Sequence, residues 1–318
     1  MRDSMDALVG PVRELREEFV AMTEPVRPAL WRYALRLTGS PWDAEDLVQE
    51  TLLRAFGRLA NFWQPIEDVR AYLFRIASNA WIDGLRRSGA AVDSLETVAE
   101  VAAPRGPDPA EVAEVVEELI RALPPRQRAI VLLTGAFDFT AREVAAMLGC
   151  TEGAVKAALH RARATLRSGA SRRSEPAGAP PAPDPLLERF VDAFNRHDPD
   201  AIAALLEEHA ATDIVGVAEE HGREVIRQQS IAEGMASPIR QRAAVAAVAG
   251  EPVVAVFADL PGRGEALMWL IRLSGTEGRI CRWTAYFFTP ELIRHAAAEL
   301  GLPAAPAGYR YAAPAPPS

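Results

Sequence analysis

The sequence predicts a multidomain chain: two all-α domains, a helical bundle and a helix-turn-helix, followed by an α+β domain. Three observations predict it. Apolar residues recur at helical spacing over about 12–88 and again over about 110–170. Turn- and breaker-rich stretches, the acidic 89–109 and the Pro/Ala-rich 171–184, separate these blocks from each other and from the remainder of the chain. From 185 to 301 the pattern changes to two short helical runs and then strand-like segments between Gly-rich turns. A length of 318 residues accommodates such a division.

In the first block, SPWDAEDLVQETLLRAF opens with Ser40 as N-cap and Pro41 at the first helical position. Asp43, Glu45 and Asp46 then meet the positive end of the helix dipole. Leu47, Leu53 and Phe56 supply apolar positions, which leaves Asp46, Gln49, Glu50 and Arg54 on a polar face. The next helix, VRAYLFRIASNAWIDGLRR, buries Leu73, Ile76, Ala80 and Leu85. It exposes Arg75, Asn79, Asp83, Arg86 and Arg87, with Tyr72, Phe74 and Trp81 interleaved. LANFWQPIED joins the two. Arginines mixed with flat rings suit single-stranded nucleic acid, since rings stack on unpaired bases while cations hold the backbone. For any single ring, Phe74 or Trp81, a place in the core is the plainer expectation.

In the second block, Thr140 followed three residues later by Glu143 forms a capping box. Val144, Ala145 and Leu148 share a face, and Gly149 stops the helix. Thr151 caps a second helix whose apolar stripe is Val155, Leu159, Ala162 and Leu166. Lys156, His160, Arg161, Arg163 and Arg167 lie mostly off that stripe. Two helices, a Gly-containing turn and a cationic second helix fit a helix-turn-helix that enters the major groove of duplex DNA.

In the third block, LLERFVDAFNRHDPDAIAALLEEHA reads as two short helices broken at His197–Pro199. EPVVAVFADL, EALMWLIRLS and RICRWTAYFFT read as strands of a mostly antiparallel sheet, and PGRGEA as a hairpin turn. TPELIRHAAAELG closes the domain, with Thr289 as N-cap and Gly301 past the end. The tail, 302–318, is expected to be mobile apart from Tyr309 and Tyr311.

Charge and composition exclude several classes. With 35 Lys+Arg against 43 Asp+Glu the net charge is −8, so nucleic acid cannot coat the whole surface, whereas local basic patches remain open. Cys150 and Cys281 have no ligand spacing and read as reduced thiols. No apolar run is long enough to span a bilayer and the start lacks a signal-peptide core, so a cytoplasmic chain with no membrane contact is expected. No P-loop, HExxH, GxSxG or paired-Cys zinc pattern occurs, and no metal, cofactor or catalytic residue is expected.

DAEDLVQETLLRAF followed by AYLFRIASNAWIDGLRR resembles region 2 of bacterial σ70-type initiation factors. LPPRQRAIVLLTGAFDFTAREVAAMLGCTEGAVKAALHRARATLR resembles their region 4. A short acidic linker between the two, without region 1 or a full region 3, is similar to the extracytoplasmic-function (ECF) group. The resemblance implies a factor that binds core RNA polymerase, through its β′ clamp helices and β flap, together with promoter DNA, duplex and melted. By position, Asp43, Asp46, Gln49 and Glu50 match the polymerase-docking face. Asn61, Phe62, Trp63, Arg75, Asn79, Asp83, Arg86 and Arg87 match the elements that capture the −10 strand and assist melting. Thr151, Glu152, Lys156, His160, Arg161 and Arg163 match the −35 reader. Ala157 and Ala158 stand where ECF readers often carry Ser and Arg, which implies sparse base-edge hydrogen bonding and more use of thymine methyls or DNA shape.

The third block resembles the SnoaL-like domains of the NTF2 superfamily, which are found fused after region 4. Domain order and the long spacer point to a regulatory role for this block, and the resemblance leaves open a pocket for a small ligand. Isomerases and cyclases share the fold, and a catalytic base would come from His197, His209, Asp213, His221 or Asp259. Two other readings stay open: a helix-turn-helix regulator that ignores polymerase, and an isomerase or cyclase with an N-terminal regulatory module.

Overall fold

A computed structural model describes residues 14–61, 66–88, 123–167 and 184–309, except 263 and 277. Phe62 and Trp63, the acidic linker and the Pro/Ala-rich spacer lie outside the described residues. The chain divides into two units, Met1–Glu175 and Pro176–Ser318.

The first unit begins with α1 (14–23), α2 (Arg27–Thr38), α3 (Pro41–Asn61) and α4 (Val69–Arg87). Gly39 ends α2 in the left-handed conformation (φ 82°), with its N–H donating to the Leu35 carbonyl. The Ser40 hydroxyl then accepts from the Asp43 N–H at 3.3 Å, as the N-cap reading requires. Asp68 caps α4 by accepting from the Ala71 N–H at 2.9 Å. Leu30, Leu37, Trp42, Val48, Leu73 and Ile76 form the shared interior. Tyr33 hydrogen-bonds Ser78 there at 2.7 Å, and burial pushes its phenol well above the usual range.

Leu53 departs from the sequence expectation. Leu47 is buried, but Leu53 is 71% exposed, and Leu52 and Ala55 take the inward positions. The helical stripe of α3 runs one residue earlier than the leucine pattern suggests.

The same unit continues with α5 (Pro125–Gly135), α6 (Ala141–Leu148) and α7 (Glu152–Arg167). The capping box on α6 is present in both directions, and the Thr140 backbone N–H and hydroxyl hold the Glu143 carboxyl below its ordinary range. Gly149 adopts φ 62°, and Thr151 caps α7 by accepting from the Ala154 N–H at 3.1 Å.

In the second unit, α8 (Pro185–Asn195) and α9 (Pro199–Leu205) precede six strands. These are β1 (Leu206–Ile214), β2 (Ala218–His221), β3 (Gln241–Val248), β4 (Glu251–Leu260), β5 (Gly264–Thr276) and β6 (Arg279–Tyr286). Between β2 and β3 lies α10, made of Arg223–Ile226, a π-helical turn Arg227–Ile231 and Ala232–Met235. The unit closes with α11 (Pro290–Glu299). The strand order is β2-β1-β6-β5-β4-β3, with β1–β6 the parallel pair and the other neighbours antiparallel. The α+β expectation therefore holds.

Three details differ from the sequence reading. LEEHA is not the end of the second helix but the start of β1, because Leu206 already has extended backbone angles after the short α9. Thr289 stands at the N-cap of α11 without capping it, and its hydroxyl is buried with no hydrogen-bond partner. The first part of the supposed tail is tied down. The Leu267 N–H donates to the Pro303 carbonyl and the Leu267 carbonyl accepts from the Ala305 N–H, each at 2.8 Å, and the Tyr309 hydroxyl donates to Glu291. The edge of β5 at Leu267 is open to this segment because β6 pairs with β5 only from Leu270 onward, and Ala304 bridges Leu267 in its place.

Candidate functional site

α3 carries the acidic face. Asp43 and Asp46 are exposed and Gln49 and Glu50 half-buried. Glu45, although in the same acidic run, is buried and accepts from the Gln49 side chain at 2.6 Å. It orients Gln49 and does not itself belong to the outer face. Leu53 lies three and four residues beyond Glu50 and Gln49, hence on the same side of the helix. Its apolar character points to the core, so the sequence pattern gives no sign of this outward place.

α4 carries the aromatic and cationic face. Phe74 is fully buried and Trp81 half-buried, so Phe74 is core, in line with the plainer expectation. Arg75 lies over the Tyr72 ring, 5.4 Å from its centroid. Asp83, Arg86 and Arg87 are exposed at the C-terminal end, with Arg86 paired to Asp83 at 3.2 Å. A cleft of 440 Å³ is lined by Arg54, Arg58, Arg75, Asn79 and Asp83 among others, bringing three guanidinium groups to one opening. Asn61 ends α3, and its side chain lies outside the described residues.

The two helical triplets of this unit meet along an aromatic seam. The Phe74 ring stacks on Tyr33 at 5.0 Å and meets Phe137 at 5.1 Å and Phe139 at 5.3 Å. Arg70 donates to the Phe137 carbonyl and lies 4.4 Å from the Phe139 ring centroid. Arg128 donates to the Leu37 carbonyl at 2.7 Å and covers Trp81. The Asn79 side chain donates to the Met147 carbonyl at 3.2 Å. A groove of 720 Å³ along the seam is lined by Tyr72 and Arg75 on one side and Glu143 and Met147 on the other. Two of the residues matched to −10 capture, Arg75 and Asn79, thus stand against α6.

On α7, Thr151, Glu152, Lys156 and Arg163 are exposed, while His160 and Arg161 are half-buried. Lys156 pairs with Glu152 at 2.9 Å along the helix. The buried positions are Val155, Ala158 and Ala162, and Leu159 is only half-buried. Ala158 is therefore not an outward position lacking a polar reader. It is small because its face packs against α5 and α6.

In the second unit none of the five candidate bases enters the interior. His197, His209, His221 and Asp259 are exposed. Asp213 is half-buried beside Arg282, with burial raising its carboxyl above the ordinary range against the pull of that arginine. Asp198 caps α9. The interior is instead packed with Phe190, Phe194, Trp269 and Trp283. Two acids are buried among the described residues of this unit, Glu220 and Glu291, and sequence patterning singles out neither. Among the described residues no three His, Cys, Asp or Glu side chains gather as a metal-holding group, and no helix is long and apolar enough to cross a membrane.

A family model described as Sigma-70 region 2 matches residues 22–91, and one described as Sigma-70, region 4 matches residues 113–166. The ECF RNA polymerase sigma factor SigG of Mycobacterium tuberculosis is 36% identical over 230 residues, covering 61% of this chain and 60% of SigG. The match thus spans less than two thirds of that relative's length. The ECF sigma factor SigL of the same organism is 37% identical over 143 residues, covering 43% of this chain and 80% of SigL. Among solved structures, the M. tuberculosis extracytoplasmic function sigma factor SigJ aligns over 84% of this chain and 95% of its own, with 22% identity and a TM-score of 0.32.

Proposed function

Because this chain belongs to the ECF group of the sigma-70 family, we propose that it is a dissociable promoter-specificity factor that docks on core RNA polymerase and directs it to a promoter. One observation carries this reading. Within a single unit, α3 carries Asp43, Asp46 and Glu50 beside the exposed Leu53, with Glu50 paired to Arg54, whereas arginines gather at Arg54 and Arg58 further along α3 and on the faces of α4 and α7. An acidic face repels a DNA backbone, so its use is with a protein, while the arginines suit phosphates. A regulator that reads duplex DNA alone has no need of that acidic face.

In the proposed division of labour, Asp43, Asp46, Gln49, Glu50 and Leu53 meet the polymerase. Arg75, Asn79, Asp83, Arg86 and Arg87, with the loop Asn61, Phe62 and Trp63, hold the melted −10 strand. Thr151, Lys156, His160, Arg161 and Arg163 approach the −35 duplex. Unstacking a base costs a few kcal/mol, which stacking and backbone contacts offset. The seam between α4 and α6 belongs to the DNA-free state. A strand reaching Asn79 must displace the Met147 carbonyl, so promoter engagement and seam opening are coupled. The chain performs no covalent step.

Arg161→Ala and Arg163→Ala are expected to weaken duplex binding across all sequences. Each should lower the slope of log affinity against log salt by about one, since a chain with one arginine fewer on the phosphates releases one counterion fewer. Fluorescence anisotropy of a promoter duplex over a salt series measures this, and an unchanged slope removes that arginine from the interface.

The second unit is proposed to regulate the first, on the strength of its position after the reader helix and the intervening Pro/Ala-rich spacer. Cutting the chain near Pro180 is expected to change promoter output or polymerase affinity in reconstituted transcription. Unchanged values for both discard the regulatory role.

A further inference from the structure

We infer that the second unit binds a small, neutral, mostly apolar molecule that carries a hydroxyl or carbonyl group, on a polar row formed by Glu220, Thr212 and Trp283. These residues are direct neighbours across three adjacent strands: Thr212 of β1 pairs with Glu220 of β2 and with Trp283 of β6. Directly opposed residues project from the same face, so the three side chains form one line. That face is the interior one. Trp283 belongs to the core cluster, and its ring meets Phe190 of α8 edge-on at 5.2 Å.

All three are more than nine-tenths buried, at 8%, 0% and 5% exposure for Glu220, Thr212 and Trp283. Each also has a buried polar atom with no hydrogen-bond partner: Glu220 Oε2, Thr212 Oγ1 and Trp283 Nε1. Protein interiors rarely leave such atoms unpaired, because a buried donor or acceptor that has lost water and gained nothing is destabilising. Three in a line are not accounted for by packing alone. The other tryptophan of the core provides a contrast. Trp269 donates its indole N–H to the Gln241 side chain at 3.2 Å. Thr212 is also chemically avoidable, since Val fills nearly the same space without the orphaned group. A ligand supplies the missing partners.

The row states what that ligand is. Trp283 offers one donor, Thr212 a donor or acceptor, and Glu220 an acceptor when ionised and a donor when protonated. Burial raises the Glu220 carboxyl above its ordinary range, with Ser230 opposing. An anion is repelled by this acid, and no basic side chain is part of the row. The surroundings are Phe190, Leu206, Ile226 and Ile231, all buried. A hydroxyl or carbonyl on an apolar ring satisfies the row and fits that lining.

Entry is over α10. This cap presents two buried apolar residues to the core, Ile226 and Ile231, sets Ser230 against the Glu220 carboxyl, and holds through Arg223 to the Leu206 carbonyl (2.9 Å) and Arg227 to Asp200 (2.9 Å). Its middle is a π-helical turn, a local irregularity that recurs at functional sites. Few buried contacts and an interrupted helix give a segment that lifts at low cost.

The test uses the full chain with phenol as probe and benzene as the hydroxyl-free control, followed by calorimetry and by hydrogen exchange. Phenol is expected to bind and to slow exchange in the peptides covering 206–221 and 279–286, where benzene does not. Thr212→Val and Trp283→Phe are each expected to weaken phenol about tenfold. Thr212→Val should also raise the unliganded melting temperature of this unit, by about 3 °C, because it removes an unpaired group at nearly unchanged volume. Equal responses to phenol and benzene, undiminished phenol affinity in the variants, or a lowered melting temperature in Thr212→Val overturns the proposal. Binding itself is measured without polymerase. Only its consequence for transcription rests on the regulatory reading above, so failure here leaves that reading to be judged by truncation.

Discussion

Phe74→Ala is expected to destabilise the first unit by about 3–5 kcal/mol, the cost of deleting a fully buried ring and leaving a cavity. The effect reaches further than one helix. Phe74 stacks on Tyr33 within the α2–α4 bundle and contacts both Phe137 and Phe139 across the seam. Losing it removes the platform on which α5 and α6 rest as well as part of the bundle core. Phe139→Ala, by contrast, deletes only the far side of the seam, including the ring under Arg70. That variant should keep the α2–α4 bundle intact while loosening its grip on the second triplet. Urea denaturation of both variants separates the two, and equal losses of stability contradict the description of Phe74 as shared core.

Much of this architecture is legible in the sequence. Capping boxes, Pro at helix starts and Gly at helix ends are local rules, and Thr140–Glu143, Ser40 and Gly149 obey them. Residue patterns decide less wherever tertiary packing chooses the face. Leu53 looks like core because leucines usually are, but α3 turns its stripe so that Leu52 and Ala55 point inward. Ala158 looks like a weak base reader, yet alanine is needed there for close packing of α7. LEEHA has no strand pattern of its own; Leu206 joins β6 opposite Ile280 and the ladder resumes at Ala211 after a register shift, a pairing set far along the chain. Glu220 cannot be singled out at all. Its burial depends on the strand beside it and the cap above it, neither of which is written locally. The seam is equally out of reach, since Asn79 and Met147 are 68 residues apart in sequence.

Leu53→Glu carries the second large effect. The side chain is 71% exposed, so the fold should be unaffected. If the α3 face docks on the polymerase, an apolar anchor becomes a charge buried at the interface, and affinity should fall at least about 30-fold, equivalent to roughly 2 kcal/mol. Leu53→Met should retain binding, which distinguishes loss of the apolar anchor from general disturbance of the surface. Competition against the unmodified chain for core polymerase gives both numbers, and full affinity for Leu53→Glu moves the docking face elsewhere.

The central claim is that an acidic helix holds the transcription enzyme while separate cationic helices hold its template. Titration of the purified full chain onto core RNA polymerase, with Asp46→Arg in parallel, tests it most directly. The account predicts saturable one-to-one association well below about 1 μM and its loss in the charge-reversed chain. Absence of association by the unmodified chain at that concentration, with promoter duplex still bound, would contradict it and leave a helix-turn-helix regulator that works without polymerase.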